Sequence, residues 1–153
     1  MKNFTLRQAV PADAIAITAL TREAYEAYIP LIGREPLPMR VDYALALKSN
    51  TFWLLEQKQE LVALLELQLL EHHLLIVNVA VKPAFQRLGL GKRLLLLAEQ
   101  EALRLERFEL QLYTNERFTK NLAIYQGLGY VETRRQKPPE SDTETVYMKK
   151  VLL

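Results

Sequence analysis

With 153 residues, half of them hydrophobic and a quarter charged, and a net charge of only +2, the chain has the balance of one soluble globular domain. That balance excludes a disordered segment and offers no basic footprint for nucleic acid, and the absence of cysteine removes disulfides, thiolate metal sites and a cysteine nucleophile. Met1 to Leu6 lack the apolar core of a signal peptide, and the leucine-rich stretches are broken by Glu66, Gln68, Glu71, His72 and His73, so the chain reads as cytoplasmic with no membrane partner.

Phe4 to Gln8 alternates weakly and reads as a first strand, stopped by Pro11. Ile15, Ile17, Leu20, Ala24 and Tyr25 lie close to helical spacing and predict a helix over 13–28 that Pro11 helps to start. Pro30, Gly33, Pro36 and Pro38 predict a loop over 29–39, and a second helix follows over about 39–47. Residues 51–56 and 61–70 predict a hairpin joined by Gln57-Lys58-Gln59. Leu74 to Val81 is apolar at both parities, with Asn78 its only polar residue, which predicts a strand covered on both faces; Pro83 ends it. An amphipathic stretch over 92–106 predicts a helix, 108–114 a strand, and 117–128 a short helix closed by a left-handed glycine at Gly127 or Gly129. Two last strands, 130–135 and 143–151, flank a turn over 137–142. The order is β-α-α-β-β-β-α-β-α-β-β, an α/β chain with no repeat or linker, so residues 1–153 read as a single domain.

Only five glycines occur, and four of them form two clusters, Gln86-Arg87-Leu88-Gly89-Leu90-Gly91 and Gln126-Gly127-Leu128-Gly129-Tyr130. The first lies between an apolar strand and a helix start. There, N–H groups left unpaired in the first helical turn converge on an anion, and glycine lets the backbone approach it. A P-loop would need glycine where Gln86 stands and Ser or Thr where Arg93 stands; a dinucleotide fingerprint would need a third glycine at Leu94. The pattern Gln/Arg-x-x-Gly-x-Gly/Ala, which cradles the pyrophosphate of coenzyme A, fits Gln86, Gly89 and Gly91 at every fixed position.

At these residues the chain is similar to the GNAT family of N-acetyltransferases. Val77-Asn78-Val79-Ala80-Val81 before Lys82-Pro83, the glycine loop, and Tyr113-Thr114-Asn115 followed by Asn121-Leu122-Ala123-Ile124-Tyr125-Gln126-Gly127-Leu128-Gly129-Tyr130 match that family's blocks in order and spacing. The resemblance implies a central, mixed but mostly antiparallel sheet of about seven strands with helices on both faces. It implies acetyl-coenzyme A as acyl donor, no metal, and transfer to the amine of a small molecule or peptide. The amides of Leu88, Gly89, Leu90, Gly91, Lys92 and Arg93 would hold the pyrophosphate, with the side chains of Arg87, Lys92 and Lys120 within reach of phosphates. The main chain along Val79, Ala80 and Val81 would pair with the pantetheine arm, at a bulge near Val79.

The resemblance assigns the proton for the leaving thiolate to Tyr125, one helical turn beyond Asn121, since a phenol with a reference pKa of about 10 is a donor at neutral pH. No carboxylate lies in the strand before the loop. Glu66, on the preceding strand, is the candidate base, against the equal reading of a solvated strand-face carboxylate. For the acceptor, the segment between the first two helices and the last hairpin offer Tyr25, Tyr28, Arg34 and Tyr147, with Arg34 either holding an anion or pairing with Glu35. His72 and His73 adjoin and read as exposed turn residues. A non-catalytic acyl-coenzyme A sensor or interaction module on the same fold is the competing class. A homodimer is compatible with either.

Overall fold

The computed structural model describes residues 3–153. In chain order its elements are β1 (Thr5–Gln8), α1 (Ala14–Tyr25), α2 (Ile29–Ile32), α3 (Tyr43–Ala46), β2 (Thr51–Gln57), β3 (Glu60–Leu69), β4 (Leu74–Val81), α4 (Leu90–Arg104), β5 (Glu109–Asn115), α5 (Thr119–Gly127), β6 (Val131–Gln136) and β7 (Thr145–Val151). The strands form one seven-stranded sheet in the order β1-β2-β3-β4-β5-β7-β6. Every neighbouring pair is antiparallel except β4 and β5, which run parallel. The right-handed crossover rule for parallel strands needs a covering element between them, and α4 supplies it.

Two cores lie on the two faces. Leu94, Leu95, Ala98 and Ala102 of α4 pack with Ala63, Leu65, Leu67, Ile76, Leu110, Leu112, Val146 and Met148. On the opposite face Ile17, Leu20 and Ala24 of α1 and Tyr43 of α3 cover Phe52, Leu54, Leu64 and Ala80. Both parities of β3 and β4 are therefore claimed, which is why Leu74 to Val81 carries no alternation of polar and apolar residues.

Local structure departs from the sequence expectations where proline and capping decide. The segment expected as loop over 29–39 contains α2, because Pro30 sits in its first turn, where a missing N–H costs nothing, and Gly33 at φ 73° ends it. The helix expected over 39–47 breaks at Val41, which is extended; a 3₁₀ turn over Leu37–Arg40 precedes it, and α3 starts afresh at Asp42, whose carboxylate accepts from Leu45 N–H at 3.2 Å. The β2–β3 turn is tighter than expected. Lys58 and Gln59 alone make it, both at positive φ, as a two-residue hairpin demands. Arg7 anchors the first strand by bonding Asp13 at 2.8 Å and Glu56 at 2.9 Å.

Candidate active site

β4 and β5 are paired only at their starts, Leu74 to Leu110 and Leu75 to Gln111, and then part. On its other edge β4 stays bonded to β3, with a bulge where Glu66 faces Asn78 and Leu67 faces Ile76, leaving Val77 as the extra residue. The bulge thus lies at Val77, two residues before the position near Val79 that the resemblance implies. Lys82 N–H donates to Val62 O at 2.8 Å, so by alternation Ala80 and Asn78 also point their peptide groups at β3. Those of Val79 and Val81 point into the gap that β5 has left. A sheet strand with a free edge is a template for an extended partner.

The glycine loop closes one end of this gap. Gly89 lies at φ 79° and caps α4, while Arg87 holds φ 66°, so the turn uses two left-handed residues, only one of them glycine. Side chains at Gly89 would be strained by conformation rather than by crowding, since no atom lies within 4 Å of the point where a Cβ would stand. Gly91 differs: its Cβ would stand 3.8 Å from Val81 Cγ2, an ordinary contact, and the bare backbone faces the cleft. The N–H groups of Leu90, Gly91 and Lys92 open the helix and have no helical acceptor, whereas Arg93 N–H already donates to Gly89 O at 3.0 Å. Gln86 turns back to donate from Nε2 to Val81 O at 3.2 Å, joining loop to strand end. The helix dipole adds about half a positive charge at this point.

A cleft of about 580 Å³ runs from this loop through the gap, between β4 and α5. Its walls include Val79, Ala80, Val81, Gln86, Arg87, Gly89, Leu90, Gly91 and Lys92 on one side and Lys120, Asn121 and Tyr125 on the other, with Tyr25 and Tyr28 at the far end. Asn121 and Tyr125 do share a face of α5. Leu88 points away, 47% exposed. Arg93 lines a neighbouring hollow with Leu6, Lys92 and Gln100.

Burial, with a smaller contribution from Tyr28, pushes the Tyr125 phenol up to about 12, so it holds its proton across the physiological range. Tyr28 Oη donates to Asn121 Oδ1 at 3.3 Å and its ring packs on Phe118 at 4.5 Å, tying the end of α1 to α5. Tyr25 Oη donates to Asn78 Oδ1 at 2.6 Å.

Glu66 does not lie on a solvated face. It is 3% exposed, on the α1 side of β3, and accepts from Asn50 Nδ2 at 2.8 Å. Burial raises its pKa, and Asn50 offsets part of that rise. Around it Asn50 Oδ1 and Asn78 Nδ2 are buried without a partner among the described residues. Arg34 does not pair with Glu35, which bonds Arg22 at 2.9 Å; Arg34 instead donates to Ser141 Oγ at 3.3 Å and bridges the α2 segment to the β6–β7 loop. Tyr147 lies outside the cleft, beside Tyr113 at 5.7 Å and under Arg134. His72 is exposed and His73 half-buried, in the β3–β4 turn, and among the described residues no cluster of three or more His, Cys, Asp or Glu side chains is placed to hold a metal ion.

A profile of the acetyltransferase (GNAT) family matches residues 17–130, which takes in the split strand, the loop and α5. The chain belongs to the GNAT family. Among solved structures this GNAT chain is similar to PaiA N-acetyltransferase from Thermoplasma acidophilum in complex with coenzyme A, at TM-score 0.80 and 18% identity over 97% of this chain and 99% of that one. It is similar also to the ribosomal-protein-S18-alanine N-acetyltransferase of Escherichia coli, at 0.76 and 18% over 98% and 94%. A third, a GNAT family acetyltransferase from Elizabethkingia anophelis with acetyl-CoA bound, reaches 0.72 and 20% over 99% and 100%. At such identities the likeness establishes the fold. No curated protein sequence matches the chain.

Several site residues of this GNAT chain carry little or no mark in the sequence. Asn50 stands 16 positions from Glu66, and nothing in its neighbourhood singles it out. Asn78 has a signal, being the one polar residue in an apolar strand. Phe118 meets Tyr28 only through the fold, and the strand order alone gathers Tyr113 and Arg134 around Tyr147, outside the cleft.

Proposed function

We propose that the protein is an acetyl-coenzyme A-dependent N-acetyltransferase acting by direct attack of an amine on the thioester in a ternary complex, within one domain over residues 1–153. The observation that carries this reading is the conjunction in one cleft of three things: a helix start with free N–H groups, a strand edge that β5 has left, with the peptide groups of Val79 and Val81 turned into the gap, and a buried, protonated tyrosine. The amides of Leu90, Gly91 and Lys92 suit a pyrophosphate, and the peptide groups of Val79 and Val81 suit the amides of an extended pantetheine arm.

When bound, coenzyme A presents the acetyl group as an activated thioester. In this reading the Val79 N–H, turned into the gap, donates to the carbonyl oxygen as negative charge develops there, a fixed donor that needs no reorganisation. Tyr125 Oη gives its proton to the departing sulfur; a phenol near 12 is still a far stronger acid than water and is present wholly in the donor form. Glu66, with its raised pKa, takes the proton that the amine must lose, directly or through water in the polar space it shares with Asn50 and Asn78. Tyr25 and Tyr28 close the acceptor end, and Arg34 holds the α2 segment in place over it. Most of the acceleration comes from positioning.

Amine-dependent release of free thiol from acetyl-coenzyme A, read with a thiol reagent across a panel of amines, tests the reading. Tight binding of acetyl-coenzyme A with no amine-dependent thiol release would instead identify a sensor.

A further inference from the structure

Strand register sets five side chains in one row across the sheet, on the face turned away from α4. Glu66 of β3 is paired with Asn78 of β4, and Tyr113 of β5 is paired with Tyr147 of β7, which is paired with Arg134 of β6. Because Leu75 faces Gln111 and the bulge at Val77 shortens β4 by one step, Asn78 comes level with Tyr113 across the gap. The immediate neighbours Leu65, Leu67, Leu112, Val146 and Met148 all enter the α4 core, so alternation puts the row itself on the other face. Tyr113 is 43% exposed and β6 is exposed along its whole length, so the part of the row beyond the gap is an open shelf.

Two adjacent arginines on β6 are used differently. Arg135 faces the opposite way and is held by Glu132 at 3.0 Å and Glu116 at 3.9 Å. Arg134 has no carboxylate partner among the described residues; Nη1 donates to Gln136 Oε1 at 2.8 Å, and Cζ rests 3.7 Å from the centroid of the Tyr147 ring. Stacking on an aromatic face fixes the guanidinium plane while leaving its remaining N–H donors open, which is how a fork that reads a carboxylate is prepared in advance.

Resting on the acetyltransferase reading, we propose that this shelf is the acceptor cradle and that Arg134 selects a small-molecule amine carrying a carboxylate at its far end. The amine sits at the gap, within reach of the Glu66 and Asn78 end of the row, the body lies over Tyr113, and the carboxylate meets Arg134 where it rests on Tyr147. The guanidinium rests over Tyr147 of β7, about one and a half strand spacings from the gap, which sets the distance from amine to carboxylate at roughly 6–8 Å. The charges of protein and acceptor are then complementary at both ends, carboxylate to amine and guanidinium to carboxylate.

The test uses para-aminomethylbenzoate and its methyl ester, which share frame and amine and differ in the distal charge. Calorimetry with the coenzyme A-loaded protein, and acetylation rates alongside, give the carboxylate-to-ester preference. The wild type should prefer the carboxylate roughly 10- to 100-fold, the span expected of a charge-assisted pair, and the preference should shrink with added salt. Arg134→Gln should bring the ratio close to one, Arg134→Lys should keep part of it, and Arg134→Glu should invert it, each variant being checked for native circular dichroism. A ratio near one in the wild type, an unchanged ratio in Arg134→Gln, or no binding of either probe to protein that binds coenzyme A overturns the proposal alone. Failure to bind coenzyme A at all overturns the acetyltransferase reading and the proposal with it.

Discussion

On the α4 side of the split, the groups facing the cleft are mostly backbone: the first amides of α4 and the peptide edge of Val79 and Val81. On the α1 side they are side chains, Tyr25 at the end of α1 and Tyr28 just beyond it, and outside the cleft on the same face of the sheet lie Glu66, Tyr113 and Arg134, brought from far apart in sequence. The backbone half depends on φ, on helix direction and on an unpaired strand edge, so few substitutions alter its chemistry and those few are severe. The side-chain half changes one residue at a time, and acceptor choice is proposed to lie there.

That contrast can be broken most sharply at Tyr125, the side chain proposed to protonate the leaving thiolate. Tyr125→Phe keeps the ring packed against Tyr130 and removes only the proton, so kcat should fall roughly 10²–10⁴-fold with little change in the coenzyme's Kd, in single-turnover assays where chemistry is limiting. A wild-type kcat would return this residue to the core and leave the donor side wholly backbone. Next in size, Gly91→Asp and Gly89→Val should each weaken acetyl-coenzyme A binding roughly 10- to 100-fold by calorimetry. The first sets a negative charge where the coenzyme's phosphates would lie, and the second forces a β-branched residue to φ 79°. Unaltered affinity in either folded variant would show that the loop is only a connection.

Glu66 sharpens the comparison from the acceptor side, because its role in rate and its effect on stability have opposite signs. Its folded pKa lies above the unfolded value through burial, so the folded state holds the proton more tightly and stability declines as pH rises from about 4.5 through the folded pKa. Glu66→Gln, which can still accept from Asn50, should therefore raise Tm at pH 7 and lose that advantage near pH 4. The same variant should lower kcat/KM and abolish the acidic limb of its pH profile. A variant that is destabilised at pH 7, or that keeps the limb, would make Glu66 a structural group. The smallest effect is expected at Arg34, whose one side-chain hydrogen bond among the described residues is to Ser141. Arg34→Ala should raise the acceptor KM roughly 2- to 10-fold and leave the Kd of acetyl-coenzyme A alone; a shift in both would place it with the donor machinery.

The proposed donor half has marks in local sequence because it rests on backbone requirements. Gly89 is needed for its φ, Pro83 ends β4, and the apolar run from Leu74 to Val81 has no alternation because both faces are covered. Asn121 and Tyr125 are four residues apart, and helical periodicity alone puts them on one face. The element order was legible for the same reason, since periodicity and breakers act within a few residues. Short helices were not. Pro30 and Pro38 looked like loop punctuation, yet a proline in a first helical turn is as acceptable as one in a loop, and only the packing around α2 and the cap at Asp42 chose between them.

Sequence by itself determined the order of the strands and longer helices and the glycine turn at Gln86 to Gly91, features whose physical causes lie within a turn or two of chain, while Tyr125 entered as a candidate proton donor through the family resemblance. Tertiary structure alone decided the rest. It buried Glu66 against Asn50, turned Arg34 from Glu35 to Ser141, and aligned Glu66, Asn78, Tyr113, Tyr147 and Arg134 across five strands. Sheet register is a long-range property, fixed by bulges at Val77 and Thr133 and by the crossover through α4, so the residues it unites carry no common mark in the sequence.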